Sequence, residues 1–220
     1  MTVIKGSVAK WKACFPKARC ANLSRSWYTA LPVTDADLAH LVGVRWVDIS
    51  GCKGVTDAGF VHLKGVHTLD MTGCSQSSIT EQAFSHLVGI HKLVMANCNQ
   101  DSINDQAFSH IKGVHTLDMS YCSQPTITDA AFSHLKGIHT LRMPFCSQPT
   151  ITDAAFAHLT GIHTLDMTYC RQSTITDAAL SHLEGIVSLK GRASLAKAAK
   201  DRGLEFTEEY VSDDYSDYSW

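Results

Sequence analysis

The segment ITDAAFSHLKGIHTLRMPFC, residues 127–146, is followed 24 residues later by the near-copy ITDAAFAHLTGIHTLDMTYC, residues 151–170. A five-residue element of this segment recurs along the chain, as HTLDM (67–71, 115–119, 163–167), HKLVM (91–95), HTLRM (139–143) and, more weakly, RCANL (19–23), RWVDI (45–49) and VSLKG (187–191). A fixed period of this length indicates a stack of equivalent coils, about eight in this chain.

Each unit begins with residues that alternate between apolar and polar. In one unit the first, fourth, sixth and ninth places are Val114, Leu117, Met119 and Cys122. Alternation at the fourth and sixth places predicts a short strand with one buried face. The third, fifth and seventh places are then predicted to face solvent, with the eighth at the rim of that surface.

A short helix is predicted in the second half of each unit. Thr128 is a helix N-cap residue, and Asp129 supplies the negative charge favoured in a first turn. Phe132 and Leu135 form an apolar stripe on one side of the helix, and Gly137 suits its C-terminal end. One unit cannot bury its apolar side alone, so the units are predicted to stack.

The frame L-x-x-L-x-L-x-x-C, followed by I-T-D-x-x-L/F-x-x-L, resembles the leucine-rich repeat of the cysteine-containing type. The segment VTDAGFVHLKGVHTLDMTGC (55–74) is also similar to the 24-residue tandem repeats of bacterial leucine-rich repeat proteins. The resemblance covers roughly residues 15–191. It implies an α/β solenoid, a right-handed arc with a parallel sheet on its concave side and short helices on its convex side. The cysteine-containing type is known from substrate-recognition subunits of F-box ubiquitin ligases, although no F-box is apparent here.

The ends of the chain depart from the repeat, as the caps of a solenoid must. The predicted regions are an N-terminal cap (1–17), the solenoid (18–191), a C-terminal cap helix and strand (192–206) and an acidic tail expected to be disordered (207–220). The cap helices are predicted at 8–18, with Trp11 and Phe15, and at 193–202, followed by a strand at 204–206. The tail contains Tyr210, Tyr215, Tyr218 and Trp220, which keep open its use as a docking peptide.

Composition narrows the classes of partner. The chain has 220 residues and a formal net charge of -2, without the clustered cations that nucleic acid binding requires. No apolar run approaches the roughly 20 residues of a membrane span, and the first residues lack the apolar core of a secretory signal. We therefore expect a monomer in the cytoplasm or nucleus, with free thiols, that binds neither nucleic acid nor membrane.

The repeated cysteines are interpreted as scaffold. They share the ninth place of successive units: Cys52, Cys74, Cys98, Cys122, Cys146 and Cys170. A buried thiol behaves as a small apolar group with a weak donor, which suits the bend after a strand. Metal binding or redox chemistry is the alternative interpretation, and a nucleophile is disfavoured because the six places are equivalent.

Histidines and glutamines form further columns. One set of histidines lies in the helical part (His40, His62, His86, His110, His134, His158, His182) and another opens the strands (His67, His91, His115, His139, His163). Stacked imidazoles could chelate a metal, but hydrogen bonds to neighbouring backbone are favoured, so no metal or cofactor is predicted. We expect stability to fall between about pH 7 and 5. Amide-to-amide bonding is predicted for Gln76, Gln100, Gln124, Gln148 and Gln172.

The candidate site consists of places where the units differ. The eighth places of three consecutive units hold Tyr121, Phe145 and Tyr169, and the fifth places of the same units hold Asp118, Arg142 and Asp166. Lys92 and Trp46 stand at third places that elsewhere hold threonine. Aromatic residues and arginine dominate the energetics of buried interfaces. The alternatives are packing of the rings over the loops with Pro125 and Pro149, and an internal salt bridge at Arg142.

The sequence therefore predicts a non-enzymatic interaction module that binds a protein or peptide on its concave face. A ubiquitin-ligase adaptor that delivers a substrate is the alternative, and a metal protein using the histidine columns is a less favoured one. No nucleotide-binding glycine loop or nucleophile elbow is present in the sequence.

Overall fold

The computed structural model of the protein describes Ile4 and residues 7–24 and 32–208. These residues form a single sheet of nine parallel strands in chain order, each hydrogen-bonded to the next. The strands are β1 (Cys20–Asn22), β2 (Trp46–Asp48), β3 (Thr68–Asp70), β4 (Lys92–Val94), β5 (Thr116–Asp118), β6 (Thr140–Arg142), β7 (Thr164–Asp166), β8 (Ser188–Gly191) and β9 (Phe206–Glu208). Strands β1–β8 coincide with the eight repeated pentapeptides, so the predicted stack of coils is confirmed.

One short helix, α1 (Val8–Cys14), precedes the sheet, and the others connect successive strands. The others are α2 (Asp35–Leu38), α3 (Asp57–Phe60), α4 (Glu81–Phe84), α5 (Asp105–His110), α6 (Asp129–Phe132), α7 (Asp153–Phe156) and α8 (Ala193–Asp201). Single-turn 3₁₀ helices follow α2 and α3 at Ala39–Leu41 and Val61–Leu63, and a longer 3₁₀ segment, Asp177–His182, replaces the α-helix of its coil.

Most of these helices are shorter than the sequence predicted. The helix expected to run up to Gly137 ends at Phe132, after one turn. Leu135 N–H then bonds to the carbonyl of Phe132, and Ile138 N–H to that of Leu135, which is the tighter i to i−3 pattern. This winding buries both Leu135 and Ile138 while it returns the chain to the next strand. His134 consequently lies in a turn beyond the helix, as do His86 and His158 in their coils.

The core is a set of apolar columns between the sheet and the helices. Leu117, Met119 and Cys122 are fully buried on the strand side, and a column of phenylalanines fills the helix side: Phe60, Phe84, Phe108, Phe132 and Phe156. Equivalent rings are 4.4–4.6 Å apart in the histidine column beside the strands. The rings of Phe132 and Phe156 are 6.3 Å apart. Because the coils are wider apart on the helix side, the sheet lies on the concave side.

Side-chain hydrogen bonds tie each coil to its neighbour. The thiol of Cys122 donates to the carbonyl of Met95, and the hydroxyl of Thr126 to that of Ile103. Asp129, the first residue of α6, accepts from both the N–H and the hydroxyl of Thr152 in the next coil. Asp35, Asp57, Asp105 and Asp153 make the equivalent pair of bonds.

The glutamine column is tied differently from the prediction. Gln76, Gln100 and Gln124 donate from Nε2 to the carbonyls of Cys52, Cys74 and Cys98. The amide-to-amide prediction is therefore wrong, because the backbone turns its carbonyls towards the column and these are stronger competitors for the amide hydrogens. The amide atoms of Gln148 and Gln172 are buried without a hydrogen-bond partner among the described residues.

The two ends differ from the predicted limits by a few residues. Helix α1 ends at Cys14 rather than at residue 18, because proline at position 16 disfavours a helical conformation in Phe15. Helix α8 lies within the predicted 193–202 and is followed by Gly203 at φ +69°. Strand β9 begins two residues later than predicted and includes Thr207 and Glu208, which the sequence assigned to the tail. Residues 209–220 of that tail, residues 1–3 and 5–6 of the N-terminal cap, and residues 25–31 lie outside the described residues.

Candidate functional site

Three stacked aromatic rings run along the carboxyl edge of the sheet. The rings of Tyr121 and Phe145 are 4.5 Å apart with planes 7° apart, and those of Phe145 and Tyr169 are 4.4 Å apart with planes 20° apart. Tyr121 is 50% exposed and Phe145 38%. We call these three residues the aromatic strip. The rings contact one another at the strand spacing. Tyr121 and Phe145 are exposed at the rim of the concave face, and Tyr169 is half-buried.

The backbone under the aromatic strip is in the left-handed region. The φ angles of Tyr121, Phe145 and Tyr169 are 59°, 60° and 59°. Two earlier coils have glycine at this place, Gly51 and Gly73, at φ 70° and 69°. A residue with a Cβ is disfavoured there by roughly 1 kcal/mol or more, and large side chains are especially rare.

The place therefore favours glycine, and the aromatic residues stand against that preference. Stacking of neighbouring rings offsets part of the strain, since an aromatic pair contributes about 0.5–1.5 kcal/mol. Strained backbone of this kind clusters at functional sites. The amides of Tyr121 and Phe145 donate to the carbonyls of Pro144 and Thr168 in the next coil at 2.9 Å, which fixes the strip in register with the sheet.

A charged row lies beside the strip on the concave face. Arg142 Nη1 is 3.3 Å from Asp118 Oδ2, and Arg142 Nε is 3.7 Å from Asp166 Oδ2. The arginine side chain is 52% exposed, whereas each carboxylate side chain is 13% exposed. The structure thus contains the internal salt bridges that the sequence left as an alternative, and an exposed pair of this kind contributes only about 0–1 kcal/mol.

The aspartates of this row also have a local structural role. Asp118 accepts from the N–H and the hydroxyl of Ser120, and Asp166 does so from Thr168. Asp48 and Asp70 make the same pair of bonds in their coils. The seventh place holds alanine or proline in the two coils whose fifth place is Val94 or Arg142. The aspartates therefore close a turn, and Arg142 is the residue that departs from it.

The remaining two candidates lie towards the N-terminal end of the sheet. Lys92 is exposed on β4, beside Val94, and makes no ion pair within 4.0 Å among the described residues. Trp46 is half-buried on β2, in register with Thr68. The structure therefore groups the strip, the charged row and Lys92 on β4–β7. Trp46 lies four strand spacings from Arg142, roughly 19 Å away.

The sequence missed two features of the site. The guanidinium carbon of Arg171 lies 5.8 Å from the centre of the Tyr169 ring, where a cation–π contact is favourable. The left-handed backbone was also missed, although Gly51 and Gly73 at the eighth place signal it. The backbone has the same left-handed conformation at Gly51, at Gly73 and at the three aromatic residues. The coils therefore differ at the eighth place in the side chain and not in the backbone.

The histidine column runs along the opposite, amino edge of the strands. Its five rings stack at 4.4–4.6 Å. Ring Nδ1 atoms of His67, His115 and His163 lie 3.2–3.4 Å from the hydroxyl of the following threonine, so the favoured prediction of bonds to neighbouring backbone is wrong for these three rings. Loss of water around the stacked ring, together with the imidazoles of His163 and His115, lowers the pKa of His139.

Within the described ranges, neither the histidines nor the other metal-binding residue types form a candidate metal centre. In the part of the chain that the structure describes, no group of three or more His, Cys, Asp or Glu side chains is placed to hold a metal ion. The six repeated cysteines are buried, and burial raises the pKa of Cys74 to about 11 and that of Cys122 to about 12. Thiols of this kind remain protonated and unreactive, which suits the scaffold interpretation.

The solved structures that resemble this chain are leucine-rich repeat proteins. An internalin (inlF) from Listeria monocytogenes is 18% identical, with a TM-score of 0.60 over 79% of this chain and 50% of the internalin. Rad7, in a complex with Elc1 in yeast, is 18% identical, with a TM-score of 0.52 over 71% of this chain and 44% of the other. TLR13, in a complex with ssRNA13, is 16% identical, with a TM-score of 0.54 over 88% and 33%.

The protein accordingly has the leucine-rich repeat fold, an α/β solenoid with a cysteine at the ninth place of each coil. The chain spans half or less of the length of these three structures. No known family profile matches the chain, and no curated protein matches it in sequence. None of the helices in the described ranges is long and apolar enough to cross a membrane.

Proposed function

We propose that the protein is a non-enzymatic interaction module that binds a protein or peptide partner on the concave face of the sheet, with the aromatic strip as its main contact. Eight strand spacings separate β1 from β9, so the face is roughly 38 Å long. That length suits an extended peptide or one side of a folded domain. The solved complexes of Rad7 with Elc1 and of TLR13 with ssRNA13 show that chains of this fold bind other macromolecules.

The main support for the proposal is that the aromatic strip places large side chains on a backbone conformation that favours glycine. Three consecutive coils place an aromatic ring on a left-handed backbone that two other coils give to glycine, and the rings of Tyr121 and Phe145 are exposed while that of Tyr169 is half-buried. Folding alone gains little from this choice, because Gly51 and Gly73 satisfy the same turn without strain. Exposed aromatic rings that a partner covers contribute most of the energy of many interfaces.

Arg142 and Lys92 supply the polar part of the proposed surface. Arg142 is held between Asp118 and Asp166, with half of its side chain exposed, so its position is fixed before a partner binds. Lys92 is exposed in a coil whose neighbours have threonine at the same place. We therefore propose a partner segment that combines apolar or aromatic side chains with carboxylates.

Affinity capture with a triple glycine variant tests the proposal. Tyr121→Gly, Phe145→Gly and Tyr169→Gly remove the rings and leave residues that tolerate φ near +60° better than alanine would. The matched control replaces three exposed apolar residues outside the strip, Val42→Ser, Val61→Ser and Val88→Ser. We expect proteins captured by the wild type and the control to be lost with the glycine variant. An unchanged set of captured proteins would overturn the proposal.

The same capture experiment separates the alternatives. Recovery of ubiquitin-ligase core subunits would favour the adaptor role, which no contact in the described residues supports on its own. Recovery of RNA with the wild type would contradict the expectation of a protein partner. Catalytic and metal-dependent functions are not proposed, because the repeated cysteines are buried and the described residues contain no metal-binding group.

A further inference from the structure

We propose that residues 209–220 of the same chain fold back onto the aromatic strip, so that the protein carries its own occupant for this surface. The proposal rests on the proposed function only in using the same surface. It concerns how that surface is covered when no partner is bound. Three features carry it: the direction in which the chain leaves β9, the length of the tail, and the chemistry of the tail and the surface.

The chain leaves the sheet at the edge where the strip lies. Strand β9 pairs in parallel with β8, with Thr207 opposite Lys190, and Lys190 is in register with Asp166. Thr207 therefore occupies the fifth place, as Asp166 does in the coil of Tyr169. Since all nine strands are parallel, the chain beyond Glu208 emerges at their carboxyl edge, which is the edge that holds the aromatic strip.

The tail is long enough to reach the far end of the strip. Tyr121 is on the coil of β5, which lies four strand spacings from β9. The open face of its ring points towards the coil of β4, which lies five strand spacings, or roughly 24 Å, from β9. An extended chain covers about 3.3 Å per residue, so the 12 residues after Glu208 reach roughly 40 Å. Tyr210 is too close to β9 to reach Tyr121, whereas Tyr215, Tyr218 and Trp220 are far enough along the tail.

Among the residues that the structure describes, the stack of rings is open at the Tyr121 end. Phe145 covers one face of the Tyr121 ring at 4.5 Å. The next coil has Asn97 at the equivalent place, and Asn97 Oδ1 accepts a hydrogen bond from Asn99. No aromatic ring of a described residue lies on the second face of Tyr121. Tyr121 is 50% exposed, more than Phe145 at 38%. An added ring would continue the stack at the same spacing.

The charges of the tail complement the surface on its path. Residues 209–220 contain four acidic residues, Glu209, Asp213, Asp214 and Asp217, and no lysine or arginine. Strands β4–β8 present Lys92, Arg142 and Lys190, with Arg171 beside Tyr169, against the two carboxylates of Asp118 and Asp166. Aromatic residues alternate with acidic ones in the tail, which matches a surface of stacked rings flanked by cations.

Hydroxyl-radical footprinting of the full chain tests the proposal without any partner. The tail variant Tyr215→Ser, Tyr218→Ser, Trp220→Ser keeps the chain length and every charge. We expect the oxidation of Tyr121 and Phe145 to be severalfold lower in the wild type than in this variant. Phe15, which is 58% exposed at the opposite end of the solenoid, serves as the internal control and should be oxidised equally in both.

Two further arms complete the test. Asp213→Asn, Asp214→Asn and Asp217→Asn should weaken the protection, and Lys92→Glu should weaken it as well because the tail then meets a like charge. Equal oxidation of Tyr121 in the wild type and the serine variant would overturn the proposal. Protection that decreases on dilution would also overturn it, since the tail of a second copy would then be the occupant. Because no partner is present, these outcomes do not depend on the proposed function.

Discussion

The bonds from each helix start to the next coil give a stability prediction with an internal control. Asp129 Oδ1 accepts from Thr152 N–H at 2.7 Å and Oδ2 accepts from the Thr152 hydroxyl at 2.6 Å. The coil whose helix begins with Glu81 lacks this pair among the described residues, and the next coil has Asn104 in place of threonine. The backbone bond between coils is kept where the pair is missing, since the N–H of Glu81 donates to the carbonyl of Ser102 at 3.0 Å, as the N–H of Asp57 donates to that of Ser78 in a coil that has the pair.

We expect Asp129→Ala to destabilise the protein by about 2–3 kcal/mol. A hydrogen bond to a charged group contributes about 1.5–3 kcal/mol, and the lower limit applies to each of the two bonds because Asp129 is half-buried. Glu81→Ala removes a first-turn acid of the same charge but no bond between coils. Only the helix-dipole effect, about 0.5 kcal/mol, and an exposed hydrogen bond from Gln82 Nε2 within the same helix are lost.

Urea unfolding of the two variants measures the difference. With an m value of roughly 3 kcal/mol/M for a chain of this size, the midpoint should fall by about 0.8 M in Asp129→Ala and by about 0.2 M in Glu81→Ala. Restoring the missing pair with Glu81→Asp and Asn104→Thr should raise the midpoint. Equal losses in the two alanine variants would refute the reasoning, because the bonds between coils would then contribute nothing.

Three further predictions concern the thiols, the histidines and the last coil. In the native protein, a thiol reagent should react with two of the eight cysteines, Cys14 and Cys20, and the other six should react only after unfolding in denaturant. Fast reaction of more than two thiols in the native protein would contradict the burial of the six repeated cysteines. Because the pKa of His139 is lowered in the folded protein, the unfolded chain binds more protons than the folded one below about pH 6.5. The free energy of unfolding should therefore fall from pH 7 towards pH 5, and it should fall less steeply in His139→Gln. Identical pH slopes of the two proteins in urea titrations would contradict this. Arg192→Met should cost about 1–3 kcal/mol in the same assay, because the guanidinium donates to the carbonyls of Gln172 and Ile175, whereas exposed Arg202→Met should cost little.

The strands and the core were predictable because the repeat makes each coil a copy of its neighbour. Leu117, Met119 and Cys122 are all buried, as their alternation indicated. The periodicity also placed Arg142 between Asp118 and Asp166, where the structure has both ion pairs. Such inferences succeed because equivalent residues of adjacent coils must lie side by side in a stack, whatever their chemistry.

The features that were not predictable depend on competition between local contacts. The helix at Asp129 ends after one turn because a tighter winding buries Leu135 and Ile138, and propensity alone does not show this. The glutamines bond to backbone carbonyls because the bend presents them, which the side-chain pattern does not reveal. Arg192 takes the place of a glutamine in the last coil, bonding to the carbonyls that the column leaves exposed there.

The candidate site was located by variation between units, and its geometry came from the structure. The sequence placed Tyr121, Phe145 and Tyr169 along one edge, but their stacking and left-handed backbone follow from a turn that Gly51 and Gly73 also adopt. The role of the strip in binding is a prediction, as is that of Arg142, Lys92 and Trp46.

The affinity of a captured and purified partner for the triple glycine variant tests the central claim most directly. If each ring contributes at least about 1 kcal/mol, the loss of all three should raise the Kd by roughly 100-fold or more. The control with Val42, Val61 and Val88 replaced by serine should bind with the Kd of the wild type. A glycine variant that folds normally and binds its partner as tightly as the wild type would contradict the account.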